Sequence, residues 1–498
     1  MRNKALFLVV FSALLIRLMP TLITNQPFST DTWPLIRLSR ALLSSPEYRI
    51  WDDSVLDGYH NKWPAVVLES ALYDVLTGLE LIYFFRFAGV VATQASALII
   101  TYALVQKYRG KYSALLSTLV FTSIPSLVIF TSTTLKEVYA YSLALLFIAL
   151  VVTGRYLSAS APAFLTTFSL TISHPLTPLM MIAFIGSYLF TTLVKRLEGS
   201  SRAVGIRKCA LAFSLLSLIY FTYMAFYGWR GLMFRFGLSD FLILFVLSAV
   251  TYGWYVLVGG GLAKTSLILI PGIAAILVSN SRFLEIFPTL LYATPIIVLS
   301  FLPARGKERE DHGLLISSTL LPISVGLQYI AIYSPLLTTI LHRILNYLFF
   351  TAIVITASLN VRQASIKRYA LFALIISTII TATLLINLMF YGDPITYYWR
   401  YSEREVVGLS NLVKHSSDGK LCGDVKVKYL VGDAVNVDLL CGLKLIEGST
   451  GPPTVLYSDN FRFGYVLTPV DIYVIQGLNS LNVVKDIVYN NGAVYMVR

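Results

Sequence analysis

The chain has 498 residues, of which 56% are hydrophobic and 13% charged, with a mean hydropathy of +0.72. Soluble domains carry about 25% charged residues, so this composition excludes a soluble protein and indicates one that crosses a membrane several times. The net charge of +13 does not indicate a nucleic-acid partner, because residues 391–498 hold 10 basic and 11 acidic residues and the excess lies in the apolar part.

Apolar runs recur along residues 1–391, and a membrane-spanning helix needs about 20 mostly apolar residues. We predict about thirteen spans, some short and interrupted by proline. They cover residues 5–23, 81–105, 113–130, 138–154, 161–172, 176–194, 209–227, 241–258, 266–278, 290–303, 313–333, 346–360 and 369–391. The predicted fold class is therefore an all-α polytopic membrane protein, residues 1–391, followed by a small α/β domain, residues 392–498.

Basic residues indicate the orientation of these spans. Every second connection is rich in Lys and Arg, with 18 basic residues against 4 acidic ones. By the positive-inside rule these connections and the N-terminus lie in the cytoplasm. An odd number of spans then places the C-terminal domain outside. We expect the first span to be retained, because Arg17 interrupts it and no clear cleavage site follows.

The first outer connection, residues 24–80, is the longest. It contains Asp31 within the sequence Phe28-Ser29-Thr30-Asp31-Thr32-Trp33. An amphipathic pattern over 34–43 predicts a short helix lying at the membrane interface. A second helix is predicted over 65–79, with Gly78 as its stop signal. Asp31 is a candidate general base, or alternatively the N-cap of the helix that follows it.

Ionisable residues near a membrane face protein or water and are candidates for function. On the predicted outer side we single out Arg17, Lys136, Glu137, His174 and Arg343. Four of them have a simpler interpretation. Arg17 and Arg343 can snorkel to the interface, Glu137 suits the start of a helix, and His174 can be a hydrogen-bonded structural residue. The sequence has no nucleotide-binding or metal-ligand motif, so no metal and no cofactor are predicted.

The segment after residue 391 changes in composition. A helix is predicted over 402–415, and short β-like runs follow at residues 425–431, 435–440, 454–457, 465–467, 472–475 and 494–497. Asn490-Asn491-Gly492 is a hairpin turn signal. Cys422 and Cys441 both lie in this segment, whose predicted compartment permits disulfides. Their pairing remains open at this stage, since it depends on the distance between them.

These features together resemble the GT-C class of membrane glycosyltransferases, particularly archaeal members. The topology is similar to that of oligosaccharyltransferase catalytic subunits. The resemblance rests on Arg17-Leu18-Met19-Pro20, Asp31 ahead of a short helix, Trp63-Pro64, Thr77-Gly78-Leu79, Glu137, His342-Arg343 and the tail from Ser402-Glu403. Two features of oligosaccharyltransferases are missing. No Trp-Trp-Asp follows residue 391, and the second outer loop has Glu137 in place of an acidic pair.

The resemblance implies a sugar donor carried on polyprenyl (dolichyl) phosphate and an inverting, metal-independent transfer of a hexose or pentose. Asp31 would be the catalytic base, and the acceptor would be a hydroxyl on a protein, lipid or glycan. Substrate-binding residues would be Arg17, Trp33, Lys136, Glu137, His174 and Arg343. The alternatives are a transporter or flippase of lipid-linked sugars, an oligosaccharyltransferase-type enzyme, or a binding or assembly protein.

Overall fold

The computed structural model describes residues 4–45, 47, 49–50, 52, 59–153, 156, 160–197, 206–231, 346–347, 364–391, 400–415, 420–432, 435–441, 454–468, 471–473 and 487–497. The predicted spans at 241–258, 266–278, 290–303 and 313–333 lie outside the described residues, as does nearly all of 346–360. Arg343 also lies outside them. The prediction of about thirteen spans therefore remains a prediction.

Every regular element in the described residues of the apolar part is a helix. Its longer helices are α1 (Lys4–Thr24), α5 (Gly89–Arg109), α6 (Lys111–Ser123), α8 (Lys136–Val152), α9 (Ser160–Ser173), α10 (Leu176–Leu197), α11 (Ile206–Phe226) and α12 (Ala364–Ile386). Within the described ranges, Lys4–Thr24, Leu81–Arg109 and Ile206–Phe226 are long and apolar enough to cross a bilayer. The large core of this part lies between these helices.

The span predicted at 113–130 is wrong as a single helix. It is divided into α6 and α7 (Pro125–Phe130), because Pro125 has no N–H to donate and the residue before it, Ile124, is extended with ψ 115°. After α7 the chain enters a buried polar turn, Thr131–Thr134, which leads into α8.

The first outer connection folds as predicted in outline. It contains α2 (Thr32–Ser44), a 3₁₀ turn (His60–Lys62) and α3 (Ala65–Thr77). Gly78 ends α3 with φ 68°, a left-handed conformation that suits glycine. The short α4 (Leu81–Tyr83) and a π-helical turn (Phe84–Ala88) lead into α5.

The domain after residue 391, called the outer domain after its predicted side of the membrane, is an α/β unit. Its five-stranded sheet contains β1 (Lys420–Gly423), β2 (Asn436–Asp438), β3 (Thr454–Tyr457), β6 (Ile487–Asn490) and β7 (Val494–Val497), and a separate pair is formed by β4 (Tyr465–Thr468) and β5 (Asp471–Tyr473). The order in the larger sheet is β2-β1-β3-β7-β6. In this sheet β1 runs parallel to β2 and β3, and β7 runs antiparallel to β3 and β6. The helices are α13 (Glu403–His415), α14 (Val425–Val431) and α15 (Ser458–Phe463).

The strand predicted at 425–431 is wrong, because this segment is α14. The Asp424 carboxylate accepts a hydrogen bond from Val427 N at 3.0 Å and caps the helix, which outweighs the β-branched content of the segment. The predicted hairpin turn is confirmed, with Gly492 at φ 83° between β6 and β7. Cys422 and Cys441 form a disulfide with a Cα–Cα distance of 5.7 Å.

A second core joins the first outer connection to the outer domain. From α2 it contains Trp33, Leu35, Ile36 and Leu38, and from the outer domain Tyr401, Leu409, Val427 and Leu430 among others. The apolar face of α2 is therefore covered by protein. This face packs on α3 and the outer domain, and the prediction that the helix lies at the membrane interface stays a prediction.

Candidate functional site

Asp31 lies at the end of a tight turn that follows α1. Asn25 and Ser29 both have positive φ, 54° and 78°, and Asp31 N donates to Ser29 Oγ at 3.3 Å. Asp31 is partly exposed and directly precedes α2, but its carboxylate accepts no capping bond from the first-turn amides. The capping alternative is therefore wrong for its side chain, which leaves the role of a base compatible with its position.

The turn that carries Asp31 is joined to the second outer loop. Thr32 Oγ1 lies 2.9 Å from Thr133 Oγ1, and it also donates to Phe28 O at 2.9 Å. All of these atoms are in buried residues. Because Thr133 is three residues before Lys136, this contact places the turn that carries Asp31 against the segment that leads to the Lys136-Glu137 pair.

Arg17 is fully buried on α1, so the snorkelling interpretation is wrong for it. Its Nε donates to Thr131 Oγ1 at 2.8 Å, on the same polar turn, and its Nη1 donates to Ala13 O at 3.3 Å. Its Nη2 is buried with no hydrogen-bond partner among the described residues. A guanidinium is therefore buried against the Thr131–Thr134 turn, and its Nη2 has no hydrogen-bond partner within the described ranges.

Glu137 and His174 form a buried polar network between α8 and α10. Glu137 Oε1 accepts from Tyr141 OH at 2.7 Å, and Glu137 Oε2 lies 3.8 Å from His174 Nε2. His174 Nδ1 lies 3.1 Å from Thr177 Oγ1, which lies 2.7 Å from Tyr347 OH. These contacts fix the orientation of both the carboxylate and the imidazole, and no local sequence signal indicated the two tyrosines.

Lys136 turns toward the first outer connection. Its Nζ lies 3.7 Å from the centroid of the Tyr59 ring, a cation–π contact, and the side chain is buried. Lys136 and Glu137 are adjacent in sequence but face different surroundings. Lys136 meets the ring of Tyr59 in the first outer connection, and Glu137 meets Tyr141 and His174 in the interior of the bundle.

Trp33 packs on the outer domain. Its ring meets Tyr401 edge to face at a centroid distance of 5.7 Å, and the side chain is buried in the second core. This contact favours a structural role for Trp33 at the junction of α2 and the outer domain.

Glu69, on α3, was assigned no role from the sequence. Burial raises the pKa of its carboxyl group, and a hydrogen bond with Tyr139 on α8 opposes that rise. The only signal in the sequence was an acid within the otherwise apolar first half of a helix. Glu69 therefore places a partly buried carboxylate at the junction of α3 and α8.

Metal binding finds limited support in these residues. Glu137 and His174 offer a carboxylate and an imidazole, and within the described ranges no group of three or more His, Cys, Asp or Glu side chains is placed to hold an ion. We therefore assign no metal step to this site.

The described helical bundle with its α/β domain has a fold that is shared with a solved membrane oligosaccharyltransferase. The oligosaccharyltransferase of Archaeoglobus fulgidus, solved in complex with Zn and sulfate, is similar over 87% of this chain with a TM-score of 0.52 and 12% identity. This chain corresponds to 62% of that protein. At this level of identity the similarity shows the fold alone.

ArnT from Cupriavidus metallidurans, solved bound to undecaprenyl phosphate, is also similar. That comparison covers 100% of this chain and 98% of ArnT, with 15% identity and a TM-score of 0.47. No protein-family model matches the chain, and a search of curated proteins found no match.

Proposed function

We propose that this protein transfers a sugar from a polyprenyl-phosphate carrier to a hydroxyl acceptor at the outer face of the membrane. Asp31 removes the acceptor's proton while the acceptor oxygen attacks the anomeric carbon. The bond from that carbon to the phosphate oxygen breaks, and the configuration inverts. The observation that carries this proposal is the Thr32–Thr133 contact of 2.9 Å, which brings the Asp31 turn against the loop that leads to Lys136 and Glu137.

The leaving lipid phosphate gains negative charge during this step. Cations that are already in place stabilise that gain more than they stabilise the bound donor, which is what accelerates the reaction. Arg17, with its buried Nη2 lacking a described partner, and Lys136 are the cations we assign to this role. Arg343 lies outside the described residues, and its role as a phosphate ligand remains a prediction.

The network around Glu137 supports an orienting role. Thr177 Oγ1 lies 3.1 Å from Nδ1 of His174, and Glu137 Oε2 lies 3.8 Å from Nε2, beyond hydrogen-bond distance. An imidazole oriented through Nδ1 can present its Nε2–H to a sugar or phosphate oxygen. We propose that His174 binds the donor substrate and that Glu137 positions it.

The lipid chain of the donor needs an apolar path beside this site. A groove of about 670 Å³ lies between α3, α4 and α5, and its lining is almost wholly apolar: Tyr73, Leu79, Tyr83, Phe87, Ala88, Val91 and Ala92. The groove includes Phe87 and Ala88 of the π-helical turn that leads into α5. We assign this groove to part of the polyprenyl chain, which remains solvated by lipid.

The decisive test compares Asp31→Asn with Asp74→Asn. Asp74 is a matched control, because it is also partly buried and lies in the same outer connection, on α3. Purified full-length protein is supplied with radiolabelled polyprenyl-phosphate sugars extracted from the source membranes, and label in the acceptor fraction is measured. Loss of a general base lowers kcat by about 10²–10⁴-fold, so Asp31→Asn is expected to lose transfer by that factor while Asp74→Asn stays within about 3-fold of wild type.

Equal transfer by wild type and Asp31→Asn would remove Asp31 from the role of base. Absence of transfer from every extracted donor by both wild type and the Asp74→Asn control would contradict the proposed activity itself.

A further inference from the structure

The outer domain holds α2, the helix that begins directly after Asp31. Arg37 lies in the second turn of α2, and its Nη1 donates to the backbone oxygens of Tyr429 and of Leu430, the latter at 3.1 Å. Both carbonyls belong to the last turn of α14, where helix carbonyls lack partners within their own helix. A cation at this end also meets the negative end of the helix dipole. Arg37 therefore closes the C-terminal end of α14 from outside the domain.

A second contact lies on the same face of α2. Trp33 is four residues before Arg37, one turn away along the helix, and it packs edge to face on Tyr401. Tyr401 OH in turn donates to Lys426 O, at the start of α14. The outer domain thus contacts α2 through the C-terminal end of α14 and through Tyr401, which is bonded to the start of α14, and these contacts begin two residues after Asp31.

Gly432 shows how closely Arg37 fits. A Cβ at this position would overlap Arg37 Nη2, and it would also come within 3.1 Å of Lys428 O. A side chain at residue 432 therefore cannot be added unless the guanidinium leaves the carbonyls of α14. The chain has glycine where the Arg37 contact needs the space.

We infer that Arg37 is a positioning residue and that the outer domain, through this contact, sets the orientation of Asp31. The inference rests on the proposed function. A displacement of about 1 Å at a reacting group can cost about 10²-fold in rate, and reacting groups supported by rigid elements are placed most accurately. A cation fixed between α2 and α14 supplies that support without touching the substrate.

The test uses full-length Arg37→Ala and Gly432→Ala, with Arg37→Lys as the conservative variant. Arg40→Ala is the control, since Arg40 lies on the same helix and is exposed. Hydrogen exchange is measured over residues 32–44, and kcat and KM are measured with extracted polyprenyl-phosphate sugars. For Arg37→Ala and Gly432→Ala we expect at least about 10-fold faster exchange in α2 and about 10-fold lower kcat at unchanged KM, on the scale set by misplacement of a reacting group. Arg37→Lys recovers part of both, and Arg40→Ala changes neither by more than 2-fold.

Unchanged exchange in Arg37→Ala would overturn the inference, as would a rise in KM at constant kcat. Exchange over 454–457 reports whether the outer domain itself remains folded, and Gly432→Ala tests the contact with Arg37 still present. If the wild type transfers no sugar, the proposed function fails, whereas the exchange measurement still decides whether the outer domain holds α2.

Discussion

Lys426 forms a buried ion pair at the base of the outer domain. Its Nζ lies 2.7 Å from Glu405 Oε1, and the two side chains are 0% and 6% exposed. The same ammonium group lies over the rings of Tyr457 and Tyr401, at 4.5 Å and 5.1 Å from their centroids. Replacing Lys426 by Met keeps most of the apolar volume and removes the charge.

The expected loss of stability comes from the Glu405 carboxylate, which stays buried after the ammonium group of Lys426 is removed. Removal of one partner from a buried pair leaves an uncompensated charge and costs about 3–5 kcal/mol, whereas neutralising both partners costs much less. Glu405 keeps one hydrogen bond, from Ser402 N to Oε2 at 2.6 Å, so we expect Lys426→Met to cost about 3 kcal/mol, the lower end of that range. The double variant Glu405→Gln/Lys426→Met is expected to recover about 2 kcal/mol of this.

The free energy of opening is measured by hydrogen exchange over residues 420–431 in the full-length protein. Lys428→Met is the matched control, since Lys428 is exposed on the same helix and a surface substitution changes stability by about 0.5 kcal/mol or less. The reasoning is refuted if the double variant is as unstable as Lys426→Met. It is equally refuted if Lys426→Met and Lys428→Met behave alike.

Two further predictions concern the same domain. Burial raises the pKa of Asp424 above its ordinary value of 3.8, against hydrogen bonds from Asn460 and Val427. Since the pKa of Asp424 is higher in the folded form, the contribution of its protonated carboxyl to the stability of the domain is complete below about pH 4 and is lost as pH rises through the raised pKa. Hydrogen exchange of the domain measured against pH should show this fall in stability. Asp424→Asn should flatten the pH dependence, and Asp438→Asn, at an exposed residue, should leave it intact. The Cys422–Cys441 disulfide closes a loop of sequence separation 19. A reductant, or replacement of both cysteines by serine, should lower the stability of the domain by about 3 kcal/mol, and a reductant that destabilises the double serine variant equally would contradict this origin.

Local signals in the sequence predicted the features that depend on neighbouring residues. The amphipathic pattern predicted α2, Gly78 predicted the end of α3, and Asn491-Gly492 predicted the hairpin between β6 and β7. The failure at 425–431 has a local cause as well, because the Asp424 cap decided for helix in a segment rich in valine. The break at Pro125 was also visible in the sequence, but the apolar run around it obscured the division into two helices.

Contacts between distant parts of the chain could not be predicted. Trp33 and Tyr401 are separated by more than 360 residues, and nothing near either residue indicates the other. The same holds for Arg37 and the carbonyls of α14, and for Thr177 and Tyr347. The sequence therefore indicated which residues could carry chemistry, whereas the fold determines which of them are held in place and by what.

The arrangement of charge is the strongest physical argument for an anionic substrate. A buried guanidinium without a paired carboxylate is costly to the folded state, by several kcal/mol after relaxation. Arg17 is in this situation within the described residues, where hydroxyl and carbonyl oxygens are its partners. An arriving phosphate would relieve that cost, and it would do so most fully as its charge grows when the sugar departs. A cation that has no carboxylate partner among the described residues therefore favours the transition state over the free enzyme, which is the property that the proposed phosphate-leaving transfer requires.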